Sequence, residues 1–266
     1  MIRTALLVGA AIAAIQLSTG AAAAAAPVAV PVPMPEYIAA AISDPARPDA
    51  DRARDVNRKP AECIAFAGLK PGDRIADIFP GRGYYSRIFS KVVGPKGRVY
   101  ALLPQNIAEH VPVAVTDTKS QFSDSSYKNV LVVVAPIDAV TAPVPLDAVW
   151  MGQVYHDLPN VEMGPADIAA ANRAIYKALK PGGIYIVTDH AATPGSGFLD
   201  REPQMPKRIH RIDPALVKQQ VLAAGFVLEA QSDLLANPAD PHTASVFDPS
   251  IRGRTDQFLL KFRKPR

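Results

Sequence analysis

The sequence predicts an α/β fold in which helices cover a mostly parallel sheet in a Rossmann-like, doubly wound arrangement. Three observations predict it. Residues 74–79 form a short apolar run that breaks at Pro80 into a turn holding Gly81 and Gly83, and a helical pattern (Tyr85, Ile88, Phe89, Val92) follows. Strand-like and helix-like stretches then alternate to the end of the chain. Finally, Leu179-Lys180-Pro181-Gly182-Gly183 joins a helical pattern to the apolar strand Ile184-Tyr185-Ile186-Val187.

The elements follow in order. Residues 36–42 and 51–68 carry helical patterns, the second broken near Pro60. Residues 74–79 are the first strand, and 84–93 its helix. Gly94-Pro95-Lys96-Gly97 turns the chain into a second strand, 98–103, and a weak helix over 106–115 follows. Residues 130–135 are β-branched and form strand three. Strand four covers 147–153, an alanine-rich helix 165–179, and strand five 184–189. Asp213 with Pro214 behind it starts a helix that stops at Gly225. Strands over 226–231 and 257–262 bring the count to seven. The loops 136–145, 191–212 and 233–255 are too long for simple connectors, so they are expected to bind or cover a ligand.

The N-terminus predicts export. Met1-Ile2-Arg3 is a short positive start, residues 5–17 are an apolar core, and the alanines of 21–26 offer small-residue cleavage sites. The core is shorter than the ~20 residues of a membrane span. Residues 1–26 are therefore expected to be a signal peptide, 27–35 a Pro/Ala-rich spacer and 36–266 a single domain in the periplasm. No span is expected in the mature chain.

Composition narrows the function classes. The 266 residues carry 29 Lys+Arg against 25 Asp+Glu, a net charge of +4. These cations scatter, apart from a basic C-terminal end, and show no stripe with interleaved aromatics, so no nucleic-acid partner is expected. The single Cys63 permits no internal disulfide and excludes zinc-finger and iron–sulfur sites.

The chemistry-bearing residues gather at the carboxyl edge of the expected sheet, where doubly wound folds bind ligands. Asp77 sits in strand one, two residues before the turn of Pro80, Gly81 and Gly83. Tyr155, His156 and Asp157 follow strand four, and Asp189 and His190 end strand five. His156 has a pKa suited to a general base, and Asp157 could orient it. The bland alternative packs Tyr155 and leaves His156 as a loop cap. His156, His190, Asp189, His210, Asp213, Asp240 and His242 could supply metal ligands. No two histidines have the short spacing of a helical metal motif, so the sequence assigns no metal.

The glycine-turn strand, the middle strand with its polar end and the later Leu-Lys-Pro-Gly-Gly strand, in this order, resemble class I S-adenosylmethionine (SAM)-dependent methyltransferases. The segments PGRGYY (80–85), YHDL (155–158) and FDPSIRGRTDQFLLKFRKP (247–265) look like predicted exported bacterial members of that superfamily. The resemblance implies an antiparallel last strand and SAM as cofactor. It places Asp77, Phe79, Gly81, Gly83, Leu103 and Gln153 at the donor, and His156, Asp157 and Tyr155 at the methyl acceptor, a small molecule or an envelope component. The chain departs from the pattern in three ways. Phe79 stands where a first glycine is usual, Pro80 removes a donor from the turn, and Leu103 stands where an acid would hold the ribose. Two readings stay open: an exported methyltransferase, and a methyltransferase-like binding protein without turnover. A nicotinamide-dependent reductase would need the same absent acid.

Overall fold

The computed structural model describes residues 33–123, 125–140, 144–160, 165–197 and 208–266. The expected signal peptide lies outside them, as do most of the spacer and residues 198–207 of the loop after strand five. Four short helices come first: α1 (Glu36–Ile42), α2 (Asp49–Arg52), α3 (Asp55–Arg58) and α4 (Pro60–Ala67). The sequence predicts one broken helix over 51–68, and the structure gives three. Lys59 turns left-handed (φ 42°) just before Pro60, which takes the first position of α4.

The Rossmann-like core follows as β1 (Arg74–Ile78), α5 (Tyr84–Val93), β2 (Arg98–Pro104), α6 (Gln105–His110), α7 (Val113–Ser120), β3 (Val130–Ala135) and β4 (Leu146–Gly152). After it come α8 (Ile168–Ala178), β5 (Leu179–His190), α9 (Pro214–Ala223), β6 (Val227–Ser232) and β7 (Gln257–Arg263). Strand five, expected over 184–189, already begins at Leu179, and two helix expectations shift. The weak helix over 106–115 is two helices parted at Pro112, and the helix expected from 165 starts at Ile168, where Asp167 accepts the Ala170 N–H as N-cap.

The sheet order is β3-β2-β1-β4-β5-β7-β6. The strands pair in parallel from β3 to β5, while β7 runs antiparallel to both β5 and β6. The expected doubly wound sheet with an antiparallel last strand is thus present, and residues 34–266 form one compact unit. One face packs on α8 and α9 through Ile78, Met151, Tyr155, Ile175, Val217 and Phe262. The other packs on α1, α4 and α5 through Ile38, Ile64, Ile88, Phe89, Trp150 and Leu259. Burial on both faces explains why the central strands read as continuous apolar runs. Cys63 is buried in the second layer, where burial pushes its thiol up to about 12, helped by Glu62, so it stays an unreactive thiol.

Charge pairs fasten the N-terminal helices to α5. Both Arg87 Nε and Nη2 donate to Asp51 Oδ2 (2.9 and 2.5 Å), with both side chains buried. Arg47, fully buried, grips Asp55 at 2.7 and 2.8 Å, and the Tyr84 hydroxyl donates to the same carboxylate at 2.5 Å. These contacts hold α2 and α3 over the turn that follows β1.

The two glycines of that turn do different work. Both are left-handed (φ 55° at Gly81, 78° at Gly83). A methyl group on Gly83 would lie 2.6 Å from Phe122 Cζ and 3.1 Å from Arg87 Nη1, whereas one on Gly81 meets nothing within 4 Å. Gly83→Ala should therefore cost about 2–3 kcal/mol, backbone strain plus overpacking. Gly81→Ala should cost about 1 kcal/mol from strain alone. Urea denaturation of the two variants checks this, and equal losses would mean that contact with Phe122 carries no weight.

Candidate functional site

The site lies where β1 and β4 end side by side. From β1 the chain turns toward β2, and from β4 toward β5, so a crevice opens between them. Phe79 leaves β1 in a left-handed conformation (φ 52°), and Gln153 leaves β4 in another (φ 59°). Such backbone in non-glycine residues is uncommon and clusters at ligand sites.

A cavity of about 230 Å³ fills the crevice, lined by Arg54, Arg58, Asp77, Phe79, Gly81, Tyr84 and Gln153 among others. Asp77 is buried and accepts the Ser86 hydroxyl at 2.5 Å and the Ser86 backbone N–H. It thus does for α5 what its N-cap, Gly83, cannot do without a side chain. Burial pushes the Asp77 carboxyl up to about 7, against the pull of the Ser86 bonds and of Arg58. Arg58 lies over Tyr84 with 4.6 Å from its guanidinium carbon to the ring centroid. Burial lowers its pKa, and among the described residues no carboxylate forms an ion pair with it.

A second cavity, about 280 Å³, lies on the far side of Gln153. Arg54, Asn57, Arg58, His190, Phe247, Arg252 and Gln257 line it. Arg58 Nη2 donates to Gln153 Oε1 (2.7 Å), and Gln153 Nε2 donates to Gln257 Oε1 (2.8 Å). This chain of amides is the partition between the two cavities. His190 Nδ1 is 2.7 Å from Thr255 Oγ1, which also accepts Gln257 Nε2 at 3.4 Å. With the hydroxyl donating to Nδ1, the His190 proton sits on Nε2 and is free to face the cavity. Burial first, then the charges of His156 and Arg211, hold His190 well below its ordinary pKa, so the ring is neutral. The cavity continues into a hollow of about 450 Å³ that shares Asn57, Gly253 and Gln257 with it.

The expected site residues divide. Asp77, Phe79, Gly81 and Gln153 line the first cavity. Gly83 does not, being closed off by Phe122, and Leu103 is fully buried in β2. Glu109 on α6 and Asp138 beyond β3 share a separate cavity of about 270 Å³ with Gln105, Asn106 and Asp167. The residues expected at the acceptor lie elsewhere than the two cavities. Tyr155 is fully buried among apolar side chains. Its oxygen accepts Asn172 Nδ2 (2.8 Å) and its proton goes to Gln220 Oε1 (3.0 Å), so it is a packing residue. His156 is buried with Nδ1 2.7 Å from Asp189 Oδ1, and neither it nor Asp157 lines either cavity. His190 occupies the position expected of His156. Arg58 escaped the sequence reading because it sits in a run of alternating charges, which usually marks a solvated helix face; only the fold carries it to the crevice.

The comparisons with known proteins agree with this architecture. The family model for protein-L-isoaspartate(D-aspartate) O-methyltransferase matches residues 56–188, half of the chain and the part that builds β1 to β5. The protein-L-isoaspartate O-methyltransferase of Ignicoccus hospitalis is 25% identical over 128 residues, 48% of this chain and 52% of the relative. That of Methanococcus maripaludis is 24% identical over 160 residues, 60% and 62%. The match therefore spans less than two thirds of either relative. A SAM-dependent methyltransferase from Aquifex aeolicus superposes with a TM-score of 0.57 at 18% identity, covering 80% of this chain and 93% of that one, a likeness of fold. From the matched segment, the strand order and the crevice between β1 and β4 together, the chain belongs to the protein-L-isoaspartate(D-aspartate) O-methyltransferase family.

Proposed function

We propose that this protein is an exported SAM-dependent methyltransferase that esterifies a carboxylate, with an isoaspartyl side of a polypeptide as its acceptor class. The observation that carries the reading is the pair of cavities meeting across Gln153, both edged by Arg58. The first suits the amino-acid end of the donor, since a zwitterion needs an anion and a cation a few ångströms apart. Asp77 and Arg58 offer both beside a turn whose Gly81 leaves open space. When bound, the donor supplies a methyl group on a positively charged sulfur.

The residues of the second cavity fit an anionic acceptor. Arg58 and Arg252 line it, and neither forms an ion pair among the described residues. Neutral His190 can donate from Nε2 to a carboxylate oxygen. A carboxylate is already ionised at neutral pH, so its transfer needs alignment and no proton removal. The adjoining 450 Å³ hollow gives a polypeptide room on either side of the reacting residue. Export rests on the sequence of residues 1–26.

One observation favours a second reading, a binding protein without turnover: β2 ends at buried Leu103, with no acid on the strand itself. The deciding experiment supplies SAM labelled in its methyl group with matched isoaspartyl and aspartyl peptides. Base-labile label should appear in the isoaspartyl peptide, and Arg58→Met should lower kcat/KM by about 100-fold or more, as for a lost charged hydrogen bond in the transition state. Donor binding without transfer would refute the acceptor class. Absence of SAM binding at millimolar concentration would favour the binding protein.

Donor affinity should also depend on pH. Asp77 is neutral below about 7 and anionic above it, and only the anion attracts an ammonium group. The donor Kd should fall as pH rises from 6 to 8 and stay flat in Asp77→Asn. Stability should move the other way. The native carboxyl holds its proton more tightly than an unfolded one, so stability declines as pH rises from about 4 to about 7. Calorimetry at several pH values checks both.

For export, mass spectrometry of periplasmic protein should find a mature N-terminus between about Ala22 and Val28. Recovery of full-length chain in the cytoplasm alone would exclude it.

A further inference from the structure

A cluster outside both cavities has a geometry that methyl transfer does not use. His156 Nε2, His210 Nδ1 and Asp157 Oδ1 form a nearly equilateral triangle. The His156–His210 edge is 3.2 Å, His156–Asp157 3.3 Å and His210–Asp157 3.4 Å. Both N···O edges exceed good hydrogen-bond length. A tetrahedral ion bound at 2.0–2.1 Å sets its ligands about 3.3–3.4 Å apart, whereas an octahedral one sets neighbours about 2.9 Å apart. The observed edges match the tetrahedron.

The surroundings aim the ligand atoms. Asp189, fully buried, accepts the backbone N–H groups of His156 (2.9 Å) and His190 (2.8 Å) and faces His156 Nδ1 at 2.7 Å. A carboxylate can only accept, so the His156 proton sits on Nδ1 and the Nε2 lone pair points into the triangle. Carboxylates behind metal-binding histidines act in this way. His156 and Asp157, adjacent in sequence, face the same point because the chain makes a single 3₁₀ turn there instead of continuing as strand. His210 arrives from a distant segment in a left-handed conformation (φ 54°). Ile212, two residues on, fixes that segment by donating its N–H to His190 O and accepting the Ala192 N–H. Left-handed backbone at a histidine is a cost that ligand binding can explain.

We propose that His156, His210 and Asp157 bind one divalent transition-metal ion of the zinc class, with Asp189 as the positioning carboxylate. Two imidazoles and one carboxylate suit zinc, and among the described residues no fourth histidine, cysteine or carboxylate joins them. The other metal candidates in the sequence have different employment. Asp213 caps α9, Asp240 pairs with buried Arg211, and His242 pairs with Asp256.

The test uses untagged protein stripped with a chelator and titrated with Co²⁺ alone, then Zn²⁺. One Co²⁺ per chain should bind with the intense visible bands of a tetrahedral site, and Zn²⁺ should displace it. His210 is partly exposed, so His210→Ala should fold; it should lower affinity by about 100-fold or more and abolish the bands. Asp189→Asn should weaken binding by about 10–100-fold, and His242→Ala should leave it unchanged. Zinc should raise the Tm of the wild type but not of His210→Ala. Weak octahedral bands, no binding at 0.1 mM Co²⁺, or equal affinity in His210→Ala would overturn the proposal. None of these outcomes bears on methyl transfer.

Discussion

The reversal of strand order between β1 and β4 is the constraint on which the rest depends. Parallel strands joined by right-handed crossovers send the chain to opposite sides at this one point. The carboxyl ends of β1 and β4 are therefore uncovered, and Phe79 and Gln153 must both turn sharply there. Their left-handed conformations are the local expression of a topological requirement. The groups lining the first cavity hang from those two turns or from the helices packed over them. Asp77 joins the two demands, because it caps α5 from within the strand while presenting a carboxyl to the crevice.

Buried charge is distributed unevenly around this point. Arg87 with Asp51, Arg47 with Asp55 and Arg211 with Asp240 are closed pairs, each with short contacts on both sides. Pairs of this kind add little net stability over apolar packing, but losing one member is costly, so they fix positions. The first two set α2 and α3 over the glycine turn. The third ties the loop after β6 to the end of β5, where Arg211 also donates to Ala191 O. Burial alone would raise the Asp240 carboxyl; backbone N–H groups of His242 and Asp256, together with Arg211, hold it below its ordinary range instead. Arg58 is the contrast, desolvated and satisfied by a neutral amide and a ring face. A cation held in this way is matched most economically by an anionic ligand.

Much of the fold was legible because local and tertiary demands agree. The helix over 84–93 and the strand over 130–135 fall at the predicted bounds, since apolar periodicity and β-branching are strong and the turn residues are unambiguous. The crevice was legible where the backbone itself turns: Asp77, Gly81 and the strand-four end at Gln153 line its cavity. It was illegible where residues meet across the chain. Gly83 and Gly81 look alike in sequence, and only Phe122, almost forty residues on, distinguishes them. Tyr155 and His156 are neighbours, yet a 3₁₀ turn sends one into the apolar layer and the other toward Asp189. His190 and His156 have similar local patterns, and which one lines a cavity is decided by the return of β7 with Gln257 beside β5.

The chemistry proposed for the acceptor bears on why His156 lies outside both cavities. A hydroxyl or amine acceptor would require a proton acceptor at the partition, and the groups there are Arg58, Gln153, Gln257 and a neutral His190 whose Nδ1 is already occupied by Thr255. None of these four accepts a proton readily at neutral pH, and Asp77, pushed up to about 7, is assigned on the proposed reading to the ammonium group of the donor. A carboxylate acceptor has no proton to lose, so a partition of donors and amides is sufficient and a base would be idle. On the proposed reading, the positive edge of the cavity would serve orientation, holding one carboxylate oxygen while the other faces the donor. On this account the His156–Asp189 arrangement is free of any duty in proton transfer. Its three-sided meeting with Asp157 and His210 is accounted for by the proposed metal ion.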